Sequence, residues 1–192
     1  MREVVLHSKR TKGFSVKVGS ISEQSTLNLL AKTYYQVVPI ELQTYCALTT
    51  AISRAVLLEF GIKSRAVPCQ VWCSTADQNY LVGFLGTPRH AGKWDGHVIC
   101  SAGEWFIDAA LHHFVKDFGI EVPSIAVSRK FEAHTQVIGR LDLEEHKTLW
   151  WHSPPVGACT QVPNEPKALV SEYALKLVQA MRSLQLEHRF SH

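Results

Sequence analysis

Cys46, His97 and Asp108 are the residues whose types and settings best suit covalent chemistry. Cys46 stands where a loop gives way to a segment with an apolar stripe of Leu48, Ala51, Ile52, Ala55 and Val56. Thr44 is a candidate N-cap, which puts Cys46 at about the second helical position. The helix runs to Phe60, and Gly61 follows where a left-handed C-terminal cap belongs. Unpaired N–H groups and the positive end of the macrodipole favour a thiolate over a thiol at such a helix start.

His97 and Asp108 bracket a segment that reads as a hairpin, Gly96-His97-Val98-Ile99-Cys100 turning into Trp105-Phe106-Ile107-Asp108. If Ala102-Gly103 forms a two-residue loop, position 97 faces 108 and the two Cβ atoms lie about 5 Å apart on one face. A four-residue loop from Ser101 to Glu104 keeps that register. A three-residue loop with Gly103 left-handed shifts it by one and sends the side chains to opposite faces. The sequence leaves both registers open.

If the three residues meet, His97 takes the Cys46 proton and later protonates the leaving group. Asp108 accepts from the other ring nitrogen, fixing the tautomer and stabilising the imidazolium. The tetrahedral oxyanion needs donors, for which the backbone N–H of Cys46 and the Gln43 amide are the candidates. Trp94 and the Trp150-Trp151 pair can wall a substrate groove, because aromatics supply contact area at low entropic cost, but core packing is the leading expectation for them.

The elements that would position these groups follow from periodicity and punctuation. One or two short strands are expected before Val18. Ser20-Ile21-Ser22-Glu23 reads as a capping box, with Ser20 as N-cap. Leu27, Leu30, Ala31, Tyr34 and Val37 then recur at helical spacing until Pro39 stops the helix. Ala66 to Cys73 and Tyr80 to Phe84 read as strands, with Pro68 marking an edge or a bulge. Residues 85–95 read as a loop, and Thr135 to Leu143 as a further strand. Leu149 to Pro163 reads as irregular. Pro166 opens a C-terminal helix with Val170, Tyr173, Leu177, Met181 and Leu184 on one side. Helices followed by antiparallel strands give an α+β layer architecture.

Residues 43–110 carry a resemblance. Tyr45-Cys46-Ala47-Leu48-Thr49-Thr50-Ala51 through Glu59-Phe60-Gly61-Ile62 resembles the nucleophile helix of transglutaminase-like proteins, within the wider papain-like superfamily. Gly96-His97-Val98-Ile99 and Trp105-Phe106-Ile107-Asp108 resemble the histidine and aspartate strands of that group. The resemblance implies a papain-like α+β core with a nucleophile helix packed on an antiparallel sheet. It also implies acyl transfer through a thioester, with Cys46, His97 and Asp108 as nucleophile, base and orienting acid. Hydrolysis of a peptide or amide bond is the leading expectation; the alternatives are a transglutaminase, a deamidase or another acyltransferase, or a binding module that keeps the fold without turnover. Ala47 stands where animal transglutaminases carry a tryptophan, which disfavours protein cross-linking.

Composition bounds the remaining classes. A chain of 192 residues with 46% hydrophobic and 19% charged content fits one globular domain spanning residues 1–192. A net charge of +3, with the basic residues scattered, does not suggest nucleic acid as a partner. Peptides, proteins or small amides are the expected substrates. Five irregularly spaced cysteines do not make a disulfide framework, and no apolar run reaches membrane-spanning length, so a reducing cytoplasm is expected. Cys69 and Cys73, with His90, Cys100, His112 and His113, lack the two tight pairs of a zinc site, so neither metal nor cofactor is expected.

Overall fold

Helix α1 (Glu23–Val37) carries Leu27, Leu30 and Tyr34 at three- and four-residue spacing, and all three are wholly buried. The computed structural model describes residues 22–84, 94–131 and 136–190. The strands expected before Val18, the cap expected at Ser20 and most of the 85–95 loop therefore lie outside the described residues. The cap of α1 is Ser22, whose side chain accepts from the Ser25 N–H at 3.1 Å; Glu23 is then the first helical residue and not the third.

Pro39 ends this helix as expected and leads into a 3-10 turn, Ile40–Thr44. Helix α2 (Cys46–Glu59) starts directly after it. Thr44 is not its cap, because the hydroxyl donates back to the Glu41 carbonyl at 3.3 Å. Tyr45 occupies the cap position without a side-chain bond, so Cys46 is the first helical residue. Gly61 (φ +72°) closes the far end, where its N–H reaches the Leu58 carbonyl and the Ile62 N–H reaches that of Leu57, both at 2.9 Å. This pair of bonds is the Schellman arrangement that a left-handed glycine permits.

Strands β1 (Ser64–Ser74), β2 (Asn79–Val82), β3 (His97–Ala102), β4 (Trp105–Asp108), β5 (Ala126–Arg129), β6 (Val137–Asp142) and β7 (Thr148–His152) form one antiparallel sheet in the order β5-β4-β3-β1-β7-β6, with β2 on β1. The first half of β1 pairs with β3 and the second half with β7 and β2. Pro68 falls in the half with a partner on one edge only, where a strand best tolerates a residue without an N–H. The end strands nearly close the sheet into a barrel through the Lys130–Gly139 bridge and the Phe131 N–H to Ile138 carbonyl bond of 2.9 Å.

The segment from Leu149, read as irregular, begins as a strand: β7 starts one residue earlier and its Leu149 and Trp151 are wholly buried. Between β4 and β5 the chain also forms a short helix, α3 (His112–Phe118), ended by left-handed Gly119. Helix α4 (Lys167–Phe190) starts after Pro166, which accepts from the Val170 N–H at 3.1 Å.

The alternation of β3 sorts the core. Cys100 and Ala102 join Leu48, Ile52 and Val56 of α2, Leu27 and Leu30 of α1, and Leu177 and Met181 of α4. Ile99 joins Phe106, Leu149, Trp151 and Phe114 on the other face, inside the curled sheet. α1 and α2 thus cover one face, α4 lies across both helices, and α3 plugs the open side. The α+β architecture and the packing of the Cys46 helix against an antiparallel sheet are both observed. Among the described residues, no helix is long and apolar enough to cross a membrane.

Candidate functional site

The hairpin turn decides whether His97 and Asp108 can meet. The register is Cys100 to Ile107, Ser101 to Phe106 and Ala102 to Trp105, so the loop is Gly103-Glu104 and not Ala102-Gly103. Glycine takes the first loop position because that residue is left-handed (φ +49°), a conformation alanine would resist. The shift is two residues, and side chains alternate with a period of two, so the two groups stay on one face. They meet diagonally and not directly across the ladder. His97 Nε2 and Asp108 Oδ2 are 2.8 Å apart, and each residue is only 1% exposed.

Asp108 is held from three sides. Its Oδ1 accepts from the Ala110 N–H at 3.1 Å, and Oδ2 accepts from Trp151 Nε1 at 2.8 Å as well as from His97. Desolvation alone would lower the proton affinity of the His97 ring. The Asp108 charge and hydrogen bond, with the Cys46 thiol beside them, outweigh it and push the ring up to about 10. Nδ1 of that ring is buried without a well-formed hydrogen bond. The three residues expected to do chemistry are therefore brought together.

Cys46 reaches the site from α2. Its neighbours in the core are Ala47, Val98 and Ala110, and its Sγ lies 3.7 Å from the Gly96 carbonyl. At 8% exposure it also lines a cavity of about 390 Å³. Trp94, Gly83, Gly96, Phe118 and Pro163 form the walls beside it. Trp94 stands edge-on to Phe84 (centroids 6.0 Å apart) and donates from Nε1 to the Cys159 carbonyl at 3.2 Å. It thereby anchors the segment before α4 to the cleft.

The rim is polar. Asp95, Lys116, Glu165 and the His113–Asp117 pair (3.2 Å) face the cavity. Burial lowers the His113 proton affinity and the nearby His97 lowers it further, against the pull of Asp117. Burial also raises that of Glu165.

Gln43 takes a different place from the one expected. It is 2% exposed in the 3-10 turn, does not line the cavity, and donates from Nε2 to the Val38 carbonyl at 2.9 Å. Its amide is spent holding the approach to α2, which corrects the expectation of an oxyanion donor. The backbone supplies a candidate donor beside the sulfur. As the first residue of a helix without a side-chain cap, Cys46 has an N–H with no intrahelical acceptor.

Trp151 is the site residue that sequence reasoning missed in this role. The sequence offers it as a possible groove wall, but only a contact 43 positions away in the chain reveals what its indole binds. The candidate ligands Cys69 and Cys100 face opposite sides of the sheet. Among the described residues, no group of three or more His, Cys, Asp or Glu could hold a metal. No family model matches the chain, and no curated protein or solved structure is significantly similar to it.

Proposed function

We propose that this chain is a cysteine-dependent acyl-transfer enzyme of transglutaminase-like, papain-like type, hydrolysing a peptide or amide bond. The observation that supports the reading is a buried 2.8 Å His97–Asp108 contact that leaves the second ring nitrogen unbonded, near a thiol that lines a cavity. A structural histidine needs none of these three things together.

In this reading His97 Nδ1 accepts the Cys46 proton, and the sulfur attacks the carbonyl carbon of an amide bound against Trp94. The C=O π pair moves onto oxygen, and the N–H of Cys46 at the start of α2 stabilises that oxyanion. Collapse expels the amine, which leaves with the proton from His97, and a thioester remains on Cys46. Water then attacks the thioester while His97 takes its proton. The thiol and a carboxylic acid are released. Asp108 holds the ring so that Nδ1 faces the sulfur throughout.

The test is the rate at which iodoacetamide modifies each cysteine of the full chain, read by peptide mass spectrometry, alongside hydrolysis of a peptide amide library. Cys46 should react much faster than exposed Cys159, and His97→Ala should remove that advantage. Equal rates at the two thiols, unaffected by His97, would favour a binding module that retains the fold without turnover.

A further inference from the structure

Trp151 lies in β7, wholly buried, with its ring edge-on to Phe106 at 5.4 Å. A buried indole N–H needs an acceptor, and any strand carbonyl would serve. Here it donates at 2.8 Å to Asp108 Oδ2, the oxygen that also binds His97 Nε2 at 2.8 Å. The other oxygen is occupied by the Ala110 N–H at 3.1 Å. With donors on both oxygens the carboxylate cannot rotate without breaking a bond.

We propose that Trp151 is a positioning residue, whose indole N–H shares the charge of the Asp108 carboxylate and fixes it as the acceptor for His97. This rests on the Cys46–His97–Asp108 reading above. Its consequence is that a strand outside the hairpin sets the ionisation of the nucleophile.

The sign follows from charge counting. When the thiol has lost its proton to the imidazole, or the imidazole to solvent, the triad holds one net negative charge. A donor on the carboxylate stabilises that state over the fully protonated one. Removing the donor makes the first proton harder to lose. The other titratable groups facing the pair are Cys69 from β1, Cys46 from α2 and His113 from α3. None of them replaces the indole as a donor to Oδ2.

The experiment is the pH profile of iodoacetamide modification at Cys46 in the full chain, wild type against Trp151→Phe. Phenylalanine keeps an aromatic ring against Phe106 and deletes the N–H, at the cost of a smaller ring in a buried site. The acid limb should move up by about one pH unit, as expected for a hydrogen bond to a charged group, with the plateau rate largely kept. A limb that stays in place, or a uniform loss at every pH, would overturn the inference. If the variant fails to fold, the wild-type Trp151 indole resonance in a ¹H–¹⁵N spectrum decides. It should shift in step with the Cys46 limb, and a resonance that does not move sinks the proposal. Fast, His97-dependent labelling of wild type combined with a negative Trp151 result removes this inference alone. Slow, His97-independent labelling removes the triad reading and this inference with it.

Discussion

The Thr50 hydroxyl donates to the Val98 carbonyl at 3.0 Å, joining the helix of Cys46 to the strand of His97 one residue after the histidine. Pro68 stands opposite Val98 in β1 and has no N–H to give that carbonyl. The donor comes from the helix instead. Because Thr50 is one turn beyond Cys46, this bond ties the part of the helix that carries the sulfur to the strand that carries the imidazole.

Thr50→Val keeps the shape and deletes the bond. It should cost about 1–2 kcal/mol in urea unfolding, the loss expected for one buried hydrogen bond with an acceptor left unpaired. Cys46 alkylation should slow beyond what the stability loss explains. Normal alkylation in a destabilised variant would show that the bond holds the fold and not the site.

Gly83→Ala should be more severe. Gly83 has φ +85°, and an added Cβ would lie 2.6 Å from the His97 backbone nitrogen and 2.7 Å from its Cβ. The substituted residue is strained whatever the space, and the clash falls on the backbone and Cβ of His97. A loss of about 1–3 kcal/mol is expected, together with a collapse of His97-dependent alkylation. Thermal unfolding and peptide-resolved labelling measure the two effects separately.

The folded-state His97 is raised to about 10 from an ordinary value near 6.5. A raised base contributes stability that is fully present below the unfolded value and is lost as pH climbs through the folded one. Wild type should therefore lose stability relative to His97→Gln between about pH 6.5 and about pH 10. Burial also raises the Cys69 and Cys100 thiols, whose effect appears in both proteins and cancels in the difference. A flat difference across that window would mean that the ring carries no extra charge in the native state.

Trp94→Ala should open the cavity wall and free the Cys159 carbonyl that Trp94 now holds at 3.2 Å. Substrate affinity should fall while the acid limb of Cys46 labelling stays put, because Trp94 touches neither His97 nor Asp108 through a hydrogen bond. A shift of the limb would assign Trp94 a part in ionising the thiol.

Much of this arrangement is legible in sequence because it rests on short-range rules. The stripes of α1 and α2 are strong at helical spacing, and Gly61 and Pro166 punctuate as their backbones require. The shared face of His97 and Asp108 survives a wrong choice of turn, since a two-residue slip preserves the alternation of side chains. What was missed depends on distant partners. β5 and α3 are only four and seven residues long and make weak patterns. β7 is disguised by its aromatic run and the prolines that follow. Gln43 sits three residues before the thiol, where an oxyanion donor is plausible, yet the 3-10 turn directs its amide to Val38.

The double membership of β1 bears on how the molecule can be divided. One continuous strand braces β3 with its first half and β7 with its second, so the scaffold under His97 is shared with chain that comes much later. A fragment ending before Thr148 would keep Cys46, His97 and Asp108 while stripping β1 of a neighbour and Asp108 of its indole donor. Splitting the gene there, or circularly permuting it through β1, should abolish cooperative folding. A new terminus placed at the exposed Gly157 turn would leave both halves of that strand intact.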